Sequence, residues 1–237
     1  MILGIETSGT TGGAALFDGR RLLGSLSFTS ATLYSQRLLP SVEWLLCRAG
    51  VAPGAIGAVA VSIGPGSFTG LRIGLAAAKA LAYANHGRIV GVNTLEAMVL
   101  RAAPGTAAGM PVCPVIDARQ GEIYAALFAA HAPEVAEDGI AGMPRLERLR
   151  EDRAGSLEFL AEWIVTPTLF VGEGAVRYHE RLRDLLGPNL VMAPGIRMLP
   201  SAEEVAWIGF EKLHCGTGDD LALLEPHYLR KSYARPA

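Results

Sequence analysis

Residues Ser62 to Gly74 read Ser-Ile-Gly-Pro-Gly-Ser-Phe-Thr-Gly-Leu-Arg-Ile-Gly, an apolar run that breaks into a Gly-Pro-Gly loop and resumes as a helix. A strand feeding a helix N-terminus through glycines can hold an anion. The first N–H groups of the helix lack intrahelical partners, and Gly64 and Gly66 allow close approach and positive φ. The same residues also make a tight strand-to-helix connection capped by Ser67 or Thr69, which needs no ligand. The spacing is not that of a P-loop, and no lysine stands where a phosphate lysine would. Two carboxylates close apolar strands in matching positions. Glu6, followed by Thr7, ends Ile2 to Ile5; Asp117, followed by Ala118 and Arg119, ends Val112 to Ile116. Facing each other across a cleft, with glycine loops around the phosphates, this pair would suit an ATPase or a sugar kinase. A catalytic base beside a sugar pocket is not legible.

Metal and nucleophile chemistry find less support. The histidines, His86, His131, His179, His214 and His227, are 45, 48, 35 and 13 residues apart, so no two stand at i, i+4 on one helix. Cys47, Cys113 and Cys215 form no Cys-x-x-Cys pair and read as buried thiols. Glu122 and Tyr124 share one face of a strand, a hairpin contact rather than an acid and base.

Periodicity supplies the elements that must position these residues. Strands are expected at Ile2 to Ile5, Gly13 to Phe17 and, after the Asp18-Gly19 turn, Leu22 to Phe28. A helix follows near Leu33 to Ala49, with Leu38, Val42, Leu45 and Ala49 along one stripe. Pro40 within it should begin or kink the helix. Then come a strand at Ala58 to Ile63, a helix after the Gly-Pro-Gly loop, a strand at Arg88 to Val92 and a helix from Thr94. In the helix after the loop, Gly70, Gly74, Ala78 and Ala82 recur every four residues, while Leu71, Ile73, Leu75, Ala76, Ala77, Ala80 and Leu81 occupy the other sides. Being apolar nearly all round, it needs cover on more than one face, from its own chain or from a partner.

The second half repeats this order. Val112 to Ile116 and Ile123 to Phe128 form a hairpin, Thr168 to Val171 runs into Gly172-Glu173-Gly174, and Leu190 to Ala193 answers Arg88 to Val92. Glu6 to Gly64 spans 58 residues and Asp117 to Gly172 spans 55, as an internal duplication predicts. Ser201 with Glu204 forms a capping box for a last helix through Leu213. The expected organisation is α/β: an N-terminal lobe over 1–105 and a C-terminal lobe over 106–237, the last helix packing back on the first lobe. A surface insertion of one or two helices is expected near 129–164, with Arg145 to Arg153 as a solvated helix face.

Bulk properties bound the partners. The 237 residues are 50% hydrophobic and 19% charged, enough for a full core, and no window reaches the length of apolar sequence a membrane helix needs. With no leader-like start, the chain is placed in the cytoplasm. A net charge of -2 argues against gripping nucleic acid alone. The cations and aromatics from Tyr228 to Arg235 read as a tail anchored on a lobe, with contact to tRNA as the alternative.

Together, the acidic strand end, residues 64 to 74, the Asp117-Ala118-Arg119-x-Gly121-Glu122-Ile123-Tyr124 hairpin and Pro226-x-Tyr228-Leu229-Arg230 make the chain resemble the bacterial TsaB family, also called YeaZ, over nearly its whole length. The resemblance implies the actin-like ATPase (ASKHA) fold with two RNase H-like lobes. It also implies a non-catalytic role in making threonylcarbamoyladenosine beside the tRNA anticodon. Such proteins dock through their first two helices onto TsaD, the catalytic relative, and the ATPase TsaE joins the pair; the same surface pairs two copies when TsaD is absent. ATP and metal are then expected on the partners, with no cofactor held here, and tRNA is touched only indirectly. On that resemblance Leu38, Val42, Leu45, Arg72, Ile73, Gly74, Ala77 and Leu81 are expected at the partner surface. Glu6, Thr7, Gly64, Gly66, Asp117 and Arg119 are left as a vestigial nucleotide cleft. Two positions depart from the family pattern: Tyr34-Ser35-Gln36 stands where a His commonly precedes the Ser, and Glu6 stands where many members carry Asp.

Overall fold

Ile2–Glu6 (β1) is buried at every position because helices cover both faces of the sheet it centres. The computed structural model describes residues 1–29, 34–104, 106, 109–133, 143–195 and 198–230. On one side β1 pairs antiparallel with β2 (Thr11–Asp18), which pairs with β3 (Arg21–Thr29); on the other it runs parallel to β4 (Ala58–Gly64), followed by β5 (Arg88–Asn93). The order is β3-β2-β1-β4-β5. Helices α1 (Tyr34–Ala49) and α2 (Phe68–Ala84) pack Leu38, Val42, Leu45, Leu75 and Ala78 onto one face, against Leu3, Ile5, Val59 and Val61. Helix α3 (Thr94–Ala102) covers the other face together with the last helix of the chain.

The second sheet repeats the first. β6 (Pro111–Arg119) pairs antiparallel with β7 (Glu122–His131), β7 with β8 (Arg145–Ser156), and β6 runs parallel to β9 (Thr168–Val171), followed by β10 (Leu190–Met192). Its order, β10-β9-β6-β7-β8, is the first sheet's order read from the other edge, with every pairing direction kept. The fold is therefore the duplicated two-lobe α/β arrangement the sequence implies. Leu157 to Ile164, with α4 (Leu160–Trp163), packs on one face of this sheet beside α5 (Glu173–Arg177) and α6 (His179–Leu186).

Two elements cross between the lobes. Seven of the nine residues of α3 are buried. Ala97 and Leu100 face the first sheet, while Leu95, Met98, Val99 and Ala102 pack with Val112, Phe128 and Leu169 of the second. The last helix, α7 (Ala202–His214), lies on β1, β2 and β4 of the first sheet, with Trp207 edge-on to Phe17 at 6.2 Å. Ser201 caps it, accepting from Glu203 N–H at 3.3 Å and donating its hydroxyl to Glu204 at 2.5 Å.

Three expectations are corrected. The charged run from Arg145 to Arg153 is not a helix face; it is most of β8, the third strand that completes the second sheet. Helical patterning misled because some of its charges point inward. Arg148 lies over the Phe128 ring at 4.6 Å and donates to Asp152, which also accepts from Asn93. Pro40 does not begin α1, which starts at Tyr34 and runs on through it. Of the three cysteines, Cys113 is buried, but Cys47 and Cys215 are exposed. Leu33, the centre of the expected insertion (134–142) and the tail residues Lys231 to Arg235 lie outside the described residues.

Candidate functional site

At the end of β1 the chain turns through Glu6, Thr7 and Ser8 directly beneath the loop that follows β4. The Glu6 carboxylate accepts the Ser8 N–H at 2.5 Å and the hydroxyls of Ser8 and Ser62. It is 1% exposed, and burial pushes its pKa above the ordinary carboxylate range despite these donors. Ser67 N–H donates to Ser8 O at 2.6 Å, and Thr7 Oγ1 donates to Gly70 O at 2.9 Å. Ser67, not Thr69, caps α2 by accepting from Gly70 N–H at 3.2 Å. The glycines are needed for this approach. A Cβ on Gly70 would lie 2.1 Å from Thr7 O, and one on Gly74 would lie 2.1 Å from Thr7 Oγ1. The glycine loop and the start of α2 thus pack closely against the chain's own β1–β2 turn.

The opposing carboxylate is engaged as well. Asp117 Oδ1 accepts from Arg119 N–H at 3.0 Å and from the Tyr178 hydroxyl at 2.9 Å. Its Oδ2 lies 3.4 Å from Arg177 and 3.8 Å from Arg119, whose side chain is 81% exposed. Of the expected cleft, then, Glu6, Thr7 and Gly66 come together in the first lobe, while Asp117 and Arg119 form a separate cluster on the second. Gly64, at φ 118°, turns toward the carbonyl of His227 instead. A cleft of about 350 Å³ separates the two groups, lined by Pro65, Gly66 and Phe68 on one wall, Ala118 and Tyr124 on the other, and Tyr228. A larger cavity of about 470 Å³, bordered by Leu100, Trp207 and Lys212, involves none of the expected site residues.

The two-helix flank differs from the expectation residue by residue. Leu38, Val42, Leu45 and Gly74 are buried against the chain's own sheet or turn. Ile73, Ala77 and Leu81 are half-buried, Ala77 and Leu81 being packed against the same core. Arg72 is exposed. The outward residues that sequence reasoning passed over are Leu39 (48% exposed) and Trp44 (50%) on α1, and Ala76, Ala80 and Tyr83 (75%) on α2. Their signal was available, since Arg72, Ala76, Ala80 and Ala84 recur every four residues on the side of α2 away from the glycines. Cations surround this face: Arg37, Arg48 and Arg72 are exposed, against one exposed acid on α1, Glu43.

No described helix is long and apolar enough to cross a membrane. Among the described residues, no three His, Cys, Asp or Glu side chains stand close enough to hold a metal ion.

Residues 29–234 match the family described as TsaD, tRNA N6-adenosine threonylcarbamoyltransferase. The chain is similar to the tRNA threonylcarbamoyladenosine biosynthesis protein TsaB of Bacillus subtilis, at 30% identity over 98% of this chain and 95% of the relative. It is similar to a tRNA N6-adenosine threonylcarbamoyltransferase of an Anaeromyxobacter species at 33% identity, over 65% of this chain but 48% of that enzyme. Among solved structures, YeaZ from Pseudomonas aeruginosa superposes with a TM-score of 0.79 and 29% identity, over 96% of this chain and 99% of that one.

Proposed function

The chain belongs to the TsaD family, described as tRNA N6-adenosine threonylcarbamoyltransferase, and within it to the TsaB (YeaZ) members, and from that membership we propose that it is the non-catalytic scaffold of a threonylcarbamoyl transfer complex. It takes part in tRNA threonylcarbamoyladenosine biosynthesis. In this reading it docks onto a TsaD-like catalytic subunit through α1 and α2, a TsaE-like ATPase joins the pair, and tRNA is met through the assembly. It holds no cofactor of its own, works in the cytoplasm and uses the same flank to pair two copies in isolation.

The observation that carries this reading is the uncovered flank. Leu39 and Trp44 stand exposed on α1, and on α2 Tyr83 stands exposed on the same stripe as Ala76 and Ala80, apolar side chains that nothing described in the chain covers. The chain spans nearly all of a TsaB relative and about half of a transferase relative. An ATPase or sugar kinase reading has less behind it, since the protein's own donors occupy Glu6 and Asp117 and its own turn packs against the glycine loop. Calorimetric titration with ATP separates the two; micromolar binding with turnover would favour the kinase.

Ala80→Arg tests the flank directly. The exposed position accepts the side chain without touching the core, so thermal unfolding should be unchanged. Co-purification with the TsaD-like subunit of the same organism, and tRNA modification by the reconstituted complex, should be lost. Normal complex formation by a folded Ala80→Arg protein would place the docking face elsewhere.

A further inference from the structure

Among the exposed cations of the flank, Arg72 is held from two sides. Its guanidinium carbon lies 3.8 Å from the centre of the Phe68 ring, one turn earlier on α2. Its Nε donates to the Tyr228 hydroxyl at 2.9 Å, and the Tyr228 ring in turn lies 5.1 Å from that of Phe68, tilted by 31°. Tyr228 is not a loose end. The residue before it, His227, donates its N–H to Ile63 O at 2.7 Å, and Arg230 pairs with Glu122 of the second lobe at 2.7 Å. The stacking ring and the hydroxyl fix the plane of the guanidinium while using only Nε. Arg72 has no ion pair among the described residues, so both terminal nitrogens remain for an outside acceptor. A planar cation held this way matches a carboxylate through two parallel hydrogen bonds, which a lysine cannot reproduce.

We propose that Arg72, oriented by Phe68 and Tyr228, is a preformed receptor for one carboxylate side chain of the protein that docks on α1 and α2. The inference rests on the docking reading above and adds to it the chemistry of the partner and a positioning role for Tyr228. Charge points to an acidic partner. Arg37, Arg48 and Arg72 outnumber Glu43 on the exposed parts of the two helices, and Arg72 heads the row that continues as Ala76, Ala80 and Ala84. The cation therefore stands at one end of a flat apolar strip. A partner helix lying along the strip would meet Arg72 with an acidic residue at its rim. By orienting Arg72, Tyr228 makes the C-terminal segment part of the recognition device.

The test measures affinity for the TsaD-like subunit at low and high salt, using the full chain and its Arg72→Lys, Arg72→Gln, Tyr228→Phe and Arg72→Gln/Tyr228→Phe variants. Arg72→Lys should weaken the complex about tenfold and Tyr228→Phe a few-fold, while adding Tyr228→Phe to Arg72→Gln should cost nothing further. Salt dependence should fall in the two proteins carrying Arg72→Gln and persist in Arg72→Lys, which keeps the charge, with thermal unfolding unchanged in all. Wild-type affinity in Arg72→Lys would overturn the receptor, and an equal loss from Tyr228→Phe in both backgrounds would overturn the positioning role. Unchanged protein affinity together with weakened tRNA binding by the assembled complex would assign Arg72 to phosphate and reject a carboxylate. Failure of the unaltered chain to form any complex would overturn the docking reading, and this inference with it.

Discussion

Glu6 shows how residue type and residue role separate. A carboxylate at the end of a central strand, next to a glycine loop, is where phosphate chemistry would be sought; here three donors from Ser8 and Ser62 saturate it inside the core. Burial raises its folded-state pKa above the ordinary value of 4.5, so the folded protein binds that proton more tightly than the unfolded chain does. Stability from this group is complete below pH about 4.5 and is lost as pH rises through the folded-state pKa. Glu204, also raised by burial, acts in the same direction. Glu6→Gln keeps an acceptor for Ser8 N–H and removes the ionisation. In denaturant titrations from acid to neutral pH, the variant should gain steadily on the wild type; a constant difference would mean that Glu6 ionises alike in the folded and unfolded states.

At the scale of the element, α2 carries three faces with three jobs. The Gly70-Gly74 side meets the β1–β2 turn, the Leu71-Leu75-Ala78 side fills the core, and the Ala76-Ala80 side is left open. The small-residue spacing was legible in the sequence, but its direction was not: tight approach is to the chain's own Thr7, not to a partner helix. Gly74→Ala should therefore destabilise the fold by about 1 to 3 kcal/mol through overpacking, visible as a lower melting temperature of the isolated chain. A purely intermolecular contact would leave that temperature unmoved. Ser67→Ala should cost about 0.5 to 2 kcal/mol by removing the N-cap. β8 gives the complementary lesson. Its charge pattern resembled a solvated helix because Arg148 and Asp152, both inward, satisfy each other and Asn93, and ladder irregularities opposite Leu127 interrupt the alternation that marks a strand. Inward charge on an edge strand also discourages pairing with another chain.

At the scale of the molecule, the C-terminal segment closes what the two lobes leave open. β5 is the edge of the first sheet, and Asp219 covers it, donating its N–H to Ile89 O at 3.0 Å and accepting Gly91 N–H at 2.7 Å, while Lys212 donates to Gly91 O at 3.0 Å. Lys79 of α2 then holds Ala222 O at 3.1 Å, and Arg230 reaches the second lobe. Charge is divided in the same sense. Residues 1–105 contain 8 basic and 4 acidic side chains, against 13 and 19 in residues 106–237, so a net charge of -2 hides a basic first half and an acidic second. Asp219→Ala should cost about 1.5 to 3 kcal/mol, as loss of a charged acceptor, and should speed exchange of the Gly91 amide with solvent. Unchanged protection there would show that the edge is held by other contacts.

The sequence alone determined most of the duplicated order of strands and helices, the glycine loop, the Ser201 cap and the absence of paired histidines, because each depends on residue type and short spacing. Only the tertiary structure decided that the glycine loop packs against the Thr7 turn, that Leu38, Val42 and Leu45 face inward while Trp44 and Tyr83 face out, and that a charged run is a strand. Those outcomes depend on which distant segment lies opposite each face, and period and composition within one element carry no record of it.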